Sequence, residues 1–157
     1  MADEDDELRS VLAGFTRVGN AIRRGRLEER AMVRAGIEVE RPALTILITL
    51  QTAGQPLRIG EIANRMQVVG PHVTRHLPEL ERRGLVQRVV DPDDSRARLI
   101  EVTEAGSATV GEYLGTVLGW IREVLDGWTP DDRAAFLTLV QRFAGDFADR
   151  IQKLEEE

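Results

Sequence analysis

The sequence predicts a mainly α (α+β) fold in which one short hairpin interrupts a series of helices. Three observations predict it. Apolar residues recur at helical spacing over most of the 157 residues. Alternation of β-branched residues is confined to two runs, Leu85 to Val90 and Arg98 to Val102. Glycine and proline punctuate the chain at the places where these patterns change. Hydrophobic residues make up 42% and charged residues 31%, enough apolar material for a core and too much for a disordered chain.

Taken in order, residues 1–7 form an acidic leader expected to be disordered and solvated. Leu8, Val11, Leu12, Phe15, Val18 and Ile22 then place a long amphipathic helix from Glu7 to about Arg34, which Gly14, Gly19 and Gly25 weaken. A loop ends at Arg41, and Pro42 suits the first turn of a new helix. Ala43 to Thr52 is apolar nearly all round, so that helix should be buried. Ile59, Ile62, Ala63 and Met66 share one face of a short helix ending near Gln67. Gly70 and Pro71 open another running to Arg83, stopped by Gly84. Two short helices joined by a tight turn form a helix-turn-helix. The hairpin follows, with the charged tip Asp91-Pro-Asp-Asp-Ser-Arg-Ala97. Two long helices complete the chain, the first from Thr103 to Asp126 and the second capped by Thr129, Pro130, Asp131 and Asp132. Residues 155–157 read as an acidic, disordered tail.

The chain contains no cysteine, which excludes disulfides, thiolate metal clusters, a cysteine nucleophile and thiol redox sensing. The longest stretch without charge, Pro42 to Leu57, is too short to span a membrane. The acidic N-terminus is unlike a signal peptide, so the cytoplasm is the expected compartment. Net charge is −6, unfavourable for a polyanion partner on average. The charge is uneven, however: residues 58–103 carry eight Arg and seven acids, whereas 104–157 carry five basic and eleven acidic residues. The helix-turn-helix and hairpin are therefore the least acidic of the charged segments.

The run Pro71-His-Val-Thr-Arg-His-Leu-Pro-Glu-Leu-Glu-Arg-Arg-Gly-Leu-Val86, followed by Asp91-Pro-Asp-Asp-Ser-Arg-Ala-Arg-Leu-Ile-Glu-Val-Thr-Glu-Ala-Gly106, resembles the MarR family of winged helix-turn-helix transcriptional regulators. The second run carries the more specific features, an Asp-x-Arg wing (Asp94, Arg96) and a Thr-x-x-Gly helix entry (Thr103, Gly106). The resemblance implies a winged helix-turn-helix with a two-stranded wing, flanked by N- and C-terminal dimerisation helices. It implies dimerisation segments at 8–41 and 104–154 and a DNA-binding domain at 42–103. It further implies a homodimer on a pseudo-palindromic site in double-stranded DNA, expected to repress transcription and to respond to a small aromatic or acidic effector.

Carried over by position, the resemblance makes Pro71, His72, Thr74, Arg75 and His76 the recognition-helix candidates, and Ser95, Arg96 and Arg98 the wing candidates. Val73, Leu77 and Leu80 should face the core. Arg75 suits bidentate contact with guanine or a phosphate, and Arg96 a narrow minor groove. Phe15, Ile22, Arg23 and Trp120, with the start of the second helix, are the candidate effector-binding residues. Pro78 departs from expectation: it removes a backbone hydrogen bond and crowds the carbonyl of Thr74, at a cost of about 3 kcal/mol. A bend near Thr74 to Leu77, or a helix start after Pro71, is expected.

Each signal has a plainer reading. His72 and His76 have metal-sharing spacing, but Val73 stands where a metalloprotease glutamate would be and no third His or Cys exists, so polar surface or DNA contact is favoured. Arg82 and Arg83 fit either a solvated helix end or a phosphate contact. Asp91, Asp93 and Asp94 lack the glycine and distant glutamate of a calcium loop, and Asp94 is expected to orient Arg96. For Phe15, Trp120 and Trp128, a core position is favoured over an effector pocket. No cofactor, metal site or enzymatic constellation is expected, since nucleophile motif, phosphate loop and metal triad are all missing. The rival reading is a winged protein-interaction module with weak or no specific DNA binding.

Overall fold

Leu44, Ile46, Leu47 and Leu50 meet Ile62, Val73, Leu77, Leu80 and Ile100 in the core cluster, and none of these nine is more than 1% exposed. Each such side chain contributes roughly 1.5–3 kcal/mol of burial, and together they fix the positions of the elements that bear them. The computed structural model describes residues 2–94 and 96–155. The elements are α1 (Ala2–Arg24), α2 (Leu27–Arg34), α3 (Arg41–Ala53), α4 (Ile59–Arg65), α5 (Gly70–Arg82), β1 (Val86–Val90), β2 (Arg98–Val102), α6 (Glu104–Leu125) and α7 (Pro130–Glu155). Contacts divide the chain into one unit up to Val117 and another from Leu118.

The first unit holds the winged helix-turn-helix. Helix α3 is the buried central helix, as its all-round apolar sequence requires. The α4–α5 turn is made by Gln67, a non-glycine residue at φ 55°, with the Val68 amide donating to the Ala63 carbonyl. Strands β1 and β2 pair antiparallel, with Val86 opposite Val102 and Val90 opposite Arg98. Leu57 adds a single bridge to this ribbon: its amide donates to the Ile100 carbonyl at 3.0 Å, and the Ile100 amide returns the bond at 2.8 Å. The wing is thereby tied to the segment before α4.

Thr103 and Gly106 join the wing to α6. The Thr103 hydroxyl donates to the Gly84 carbonyl at 2.6 Å and accepts from the Gly106 amide at 3.1 Å. A Cβ at Gly106 would lie 2.1 Å from the Leu85 carbonyl oxygen, so this position admits only glycine. Gly84, at φ 68°, ends α5 in the left-handed conformation that glycine adopts without cost.

The long first helix expected from Glu7 to Arg34 is two helices. The Gly25 amide still donates to the Ala21 carbonyl, but Arg26 turns to φ 48°, and α2 restarts at Leu27. Gly14 and Gly19 stay inside α1. Helix α1 also begins at Ala2, so most of the 1–7 leader expected to be disordered is helical; acids at a helix N-terminus complement its dipole. At the other end α7 reaches Glu155, while the remainder of the expected 155–157 tail lies outside the described residues. Helix α5 runs unbroken from Gly70 through Pro78 to Arg82. A later start is thus excluded, and any curvature from Pro78 is absorbed within one continuous helix.

In the second unit, the Thr129 hydroxyl accepts from the Asp132 amide at 3.2 Å, the expected N-cap of α7. Trp128 meets Phe136 edge to face at 5.2 Å. Trp128 is nevertheless 41% exposed, Trp120 is half-buried, and in the first unit Phe15 is 48% exposed. The expected core positions for these three rings are therefore not found in the single chain. No helix among the described residues is long and apolar enough to cross a membrane.

Candidate nucleic-acid interface

Helix α5 has an apolar inner stripe and a different outer one. Val73, Leu77 and Leu80 are fully buried, which fixes the rotation of the helix about its axis. Pro71, Thr74, Arg75 and Pro78 consequently face solvent. Arg75 pairs with no acid among the described residues, so its guanidinium is available to a partner. Thr74 donates its hydroxyl to the Gly70 carbonyl at 3.1 Å.

The two histidines do not face outward as expected. The His76 side chain is only 12% exposed, and its Nδ1 lies 3.5 Å from the Glu40 carboxylate at the start of α3. His72 is half-buried, and its ring meets that of His76 edge to face at 5.3 Å. Each follows a residue of the outward stripe, Pro71 or Arg75, by one position, about 100° around the helix, a difference that spacing alone does not resolve when helix rotation is unknown. Among the described residues no group of three His, Cys, Asp or Glu is placed to hold a metal.

Arg82 and Arg83 are engaged by acids. Glu79 accepts from Arg82 Nε at 2.9 Å and from Arg83 Nε at 2.5 Å, and Arg83 also reaches Glu38 at 3.4 Å. The Arg83 and Arg82 hydrogen bonds hold the Glu79 carboxyl below its ordinary range. These ion pairs hold both arginines at the helix end.

The wing is built on an ion pair that the sequence reading missed. Asp91, 5% exposed, opens the wing loop; its Oδ2 accepts from Arg58 Nε at 2.9 Å and Nη2 at 2.6 Å, while Oδ1 accepts from the Asp93 amide at 2.9 Å. The Asp93 amide and then the Arg58 guanidinium push the Asp91 carboxyl below its ordinary value. Arg58 is the N-cap residue of α4, so the pair fastens wing to helix-turn-helix across 33 residues of sequence. No local pattern could have signalled it.

Asp94 does orient Arg96, but through the backbone: its carboxylate accepts from the Arg96 amide at 3.0 Å. The Arg96 side chain is exposed and pairs with no acid among the described residues. Arg98 is exposed, and its Nη1 donates to the Ala97 carbonyl at 2.9 Å. Ser95 lies outside the described residues. The wing thus offers Arg96 and Arg98 around a loop whose base is buried and charged.

The MarR family model matches residues 39–97, the segment from the loop before α3 through the wing. Over this segment the chain resembles the MarR family of DNA-binding transcriptional regulators. Among relatives, the uncharacterized HTH-type transcriptional regulator YxaD of Bacillus subtilis (strain 168) is 27% identical over 128 residues, covering 82% of this chain and 88% of YxaD. A MarR family protein from Bacillus stearothermophilus superposes with a TM-score of 0.73 at 22% identity, covering 94% of this chain and 98% of that one. The S. aureus MepR F27L mutant, solved bound to an oligodeoxyribonucleotide, gives a TM-score of 0.62 at 19% identity over 85% of this chain and 94% of its own. These structural likenesses establish the MarR winged-helix fold. In MarR terms α5 is the recognition helix and 91–97 the wing tip.

The candidate effector residues are dispersed. Ile22 and Arg23 line an open cavity of about 780 Å³ with Arg26, Met32, Val39 and Arg41. Phe15 lies instead on a shallow surface with Val11 and Val18. Trp120 belongs to the second unit.

Proposed function

We propose that this chain is a MarR-family protein that binds double-stranded DNA sequence-specifically as a homodimer, represses transcription in the cytoplasm, and is modulated by a small-molecule effector. The observation that carries the reading is the outer stripe of α5, where Arg75 projects without an acidic partner from a helix locked by Val73, Leu77 and Leu80. Such a helix fits the major groove, with Arg75 on guanine or phosphate and Pro71 and Thr74 beside it. Arg96 and Arg98, with Ser95, would follow the backbone or minor groove from the wing. The oligodeoxyribonucleotide bound by the MepR mutant supports DNA binding here.

The domain assignment follows: DNA binding by 42–103 and dimerisation by 8–41 and 104–154. Broad exposed apolar faces support the latter, including Leu12 at 66%, Leu139 at 61% and Phe147 at 55%. Two-fold symmetry calls for half-sites roughly 34–36 Å apart. For an aromatic or acidic effector, the cavity holding Ile22, Arg23 and Arg41 offers an apolar wall, with Arg23 as its cation, since Glu28 and Glu29 also line it and pair with Arg41 and Arg26. The role requires no catalytic group and no cofactor.

Fluorescence-anisotropy binding to the protein's own upstream DNA and to a shuffled control, across a salt series, tests the proposal. Preference for the upstream DNA with affinity falling steeply as salt rises is the expected result. Equal, salt-insensitive binding to both would favour a protein partner instead.

A further inference from the structure

We propose that the recognition helix reads thymine C5-methyl groups next to a guanine, with Val69, Pro71 and the Thr74 methyl flanking Arg75. The inference rests on the DNA-binding reading above and specifies the chemistry of its target. The outward stripe of α5 is Pro71, Thr74, Arg75 and Pro78, spaced i, i+3, i+4 and i+7, with Val69 at its tip. Val69 is the N-cap residue, is 71% exposed, and supplies no side-chain cap.

Side-chain donors on this surface are concentrated in one residue. Arg75 offers a guanidinium; the Thr74 hydroxyl gives its proton to the Gly70 carbonyl and keeps only acceptor lone pairs; valine and the prolines have no side-chain donor or acceptor. His76 is turned to Glu40 and His72 lies against His76, so neither histidine adds to the stripe. No carboxylate stands on it to accept from the cytosine amine, and no Asn or Gln to take adenine in bidentate fashion. Of the features that distinguish bases in the major groove, two remain for such a surface. Guanine N7 and O6 suit Arg75, and the thymine methyl suits the apolar groups around it. Pro78, which weakens the helix and has no role in the core, extends this donor-poor surface by another turn.

The test begins with selection of a binding site from a random double-stranded DNA pool. Anisotropy titrations then compare the selected site with copies in which single thymines are replaced by deoxyuridine, which removes only the methyl. At least one thymine beside the guanine of each half-site should lose about fourfold in affinity on replacement, the value of one buried methyl group. Val69→Ala, and Thr74→Ser, which keeps the hydroxyl, should shrink that loss, because the methyl then has less to contact. Both positions are exposed, and an unchanged melting midpoint verifies folding of the variants. Affinity indifferent to deoxyuridine at every position would overturn the inference while leaving DNA recognition standing. A pool from which no sequence is enriched would overturn both.

Discussion

Arg75 is expected to carry most of the discrimination between bases, because no acid among the described residues pairs with it, the nearby Glu79 being held by Arg82 and Arg83. Arg75→Ala should lower affinity for the selected DNA between about five- and 150-fold, the range for one good base contact, without moving the melting midpoint. Comparable anisotropy for mutant and wild type would place the reading head elsewhere. Asp91 acts differently, through position rather than contact. Its folded-state carboxyl titrates below its ordinary value of 3.8, so its ionised form stabilises the wing above that pH. That contribution should be lost as pH falls through the lowered folded value. Thermal melts should therefore find Asp91→Asn less stable than wild type at neutral pH, with the gap closing as pH drops below 3.8. A gap that stays constant across this range would mean that the carboxylate charge is not what holds the wing. At this scale the core face of α5 was legible in the sequence, since Val73, Leu77 and Leu80 repeat with the helical period. The inward turn of His76 was not, because its partner Glu40 lies on another element. The Arg58 to Asp91 pair was illegible for the same reason.

Among the elements, the hairpin and the recognition helix were found nearly at their observed bounds. Alternation with β-branched residues over Leu85 to Val90 and Arg98 to Val102 marks the strands, and Gly84 marks the helix end by a conformation only glycine holds cheaply. The break between α1 and α2 was not anticipated, because Gly14, Gly19 and Gly25 look alike in sequence and only the last lies where the chain turns. The junction between wing and α6 gives the sharpest prediction at this scale. Gly106→Ala would drive a methyl group into the Leu85 carbonyl. Overpacking of this kind costs about 1–3 kcal/mol or more, so the melting midpoint should fall by roughly 3–10 °C. An unchanged midpoint in calorimetry would show slack in a contact that the backbone geometry makes tight.

On the scale of the whole molecule, the exposed apolar residues of α1 and of α7 are more than a monomer of this size needs at its surface. A homodimer accounts for them, and sedimentation should give twice the 17.5 kDa chain mass at micromolar concentration. Phe147→Glu should shift the protein towards a single-chain mass while leaving the winged-domain core intact, since Phe147 lies outside that cluster. A 17.5 kDa species for the wild type would remove the dimer from the account. The proposed homodimer would also set the geometry of DNA recognition. Hydroxyl-radical footprinting of the selected site tests dimeric recognition through Arg75. Two protected stretches are expected, related by two-fold symmetry and centred roughly 34–36 Å apart, about one helical turn, both lost with Arg75→Ala. A single protected stretch, uniform protection along the duplex, or an unaltered pattern with the mutant would contradict it.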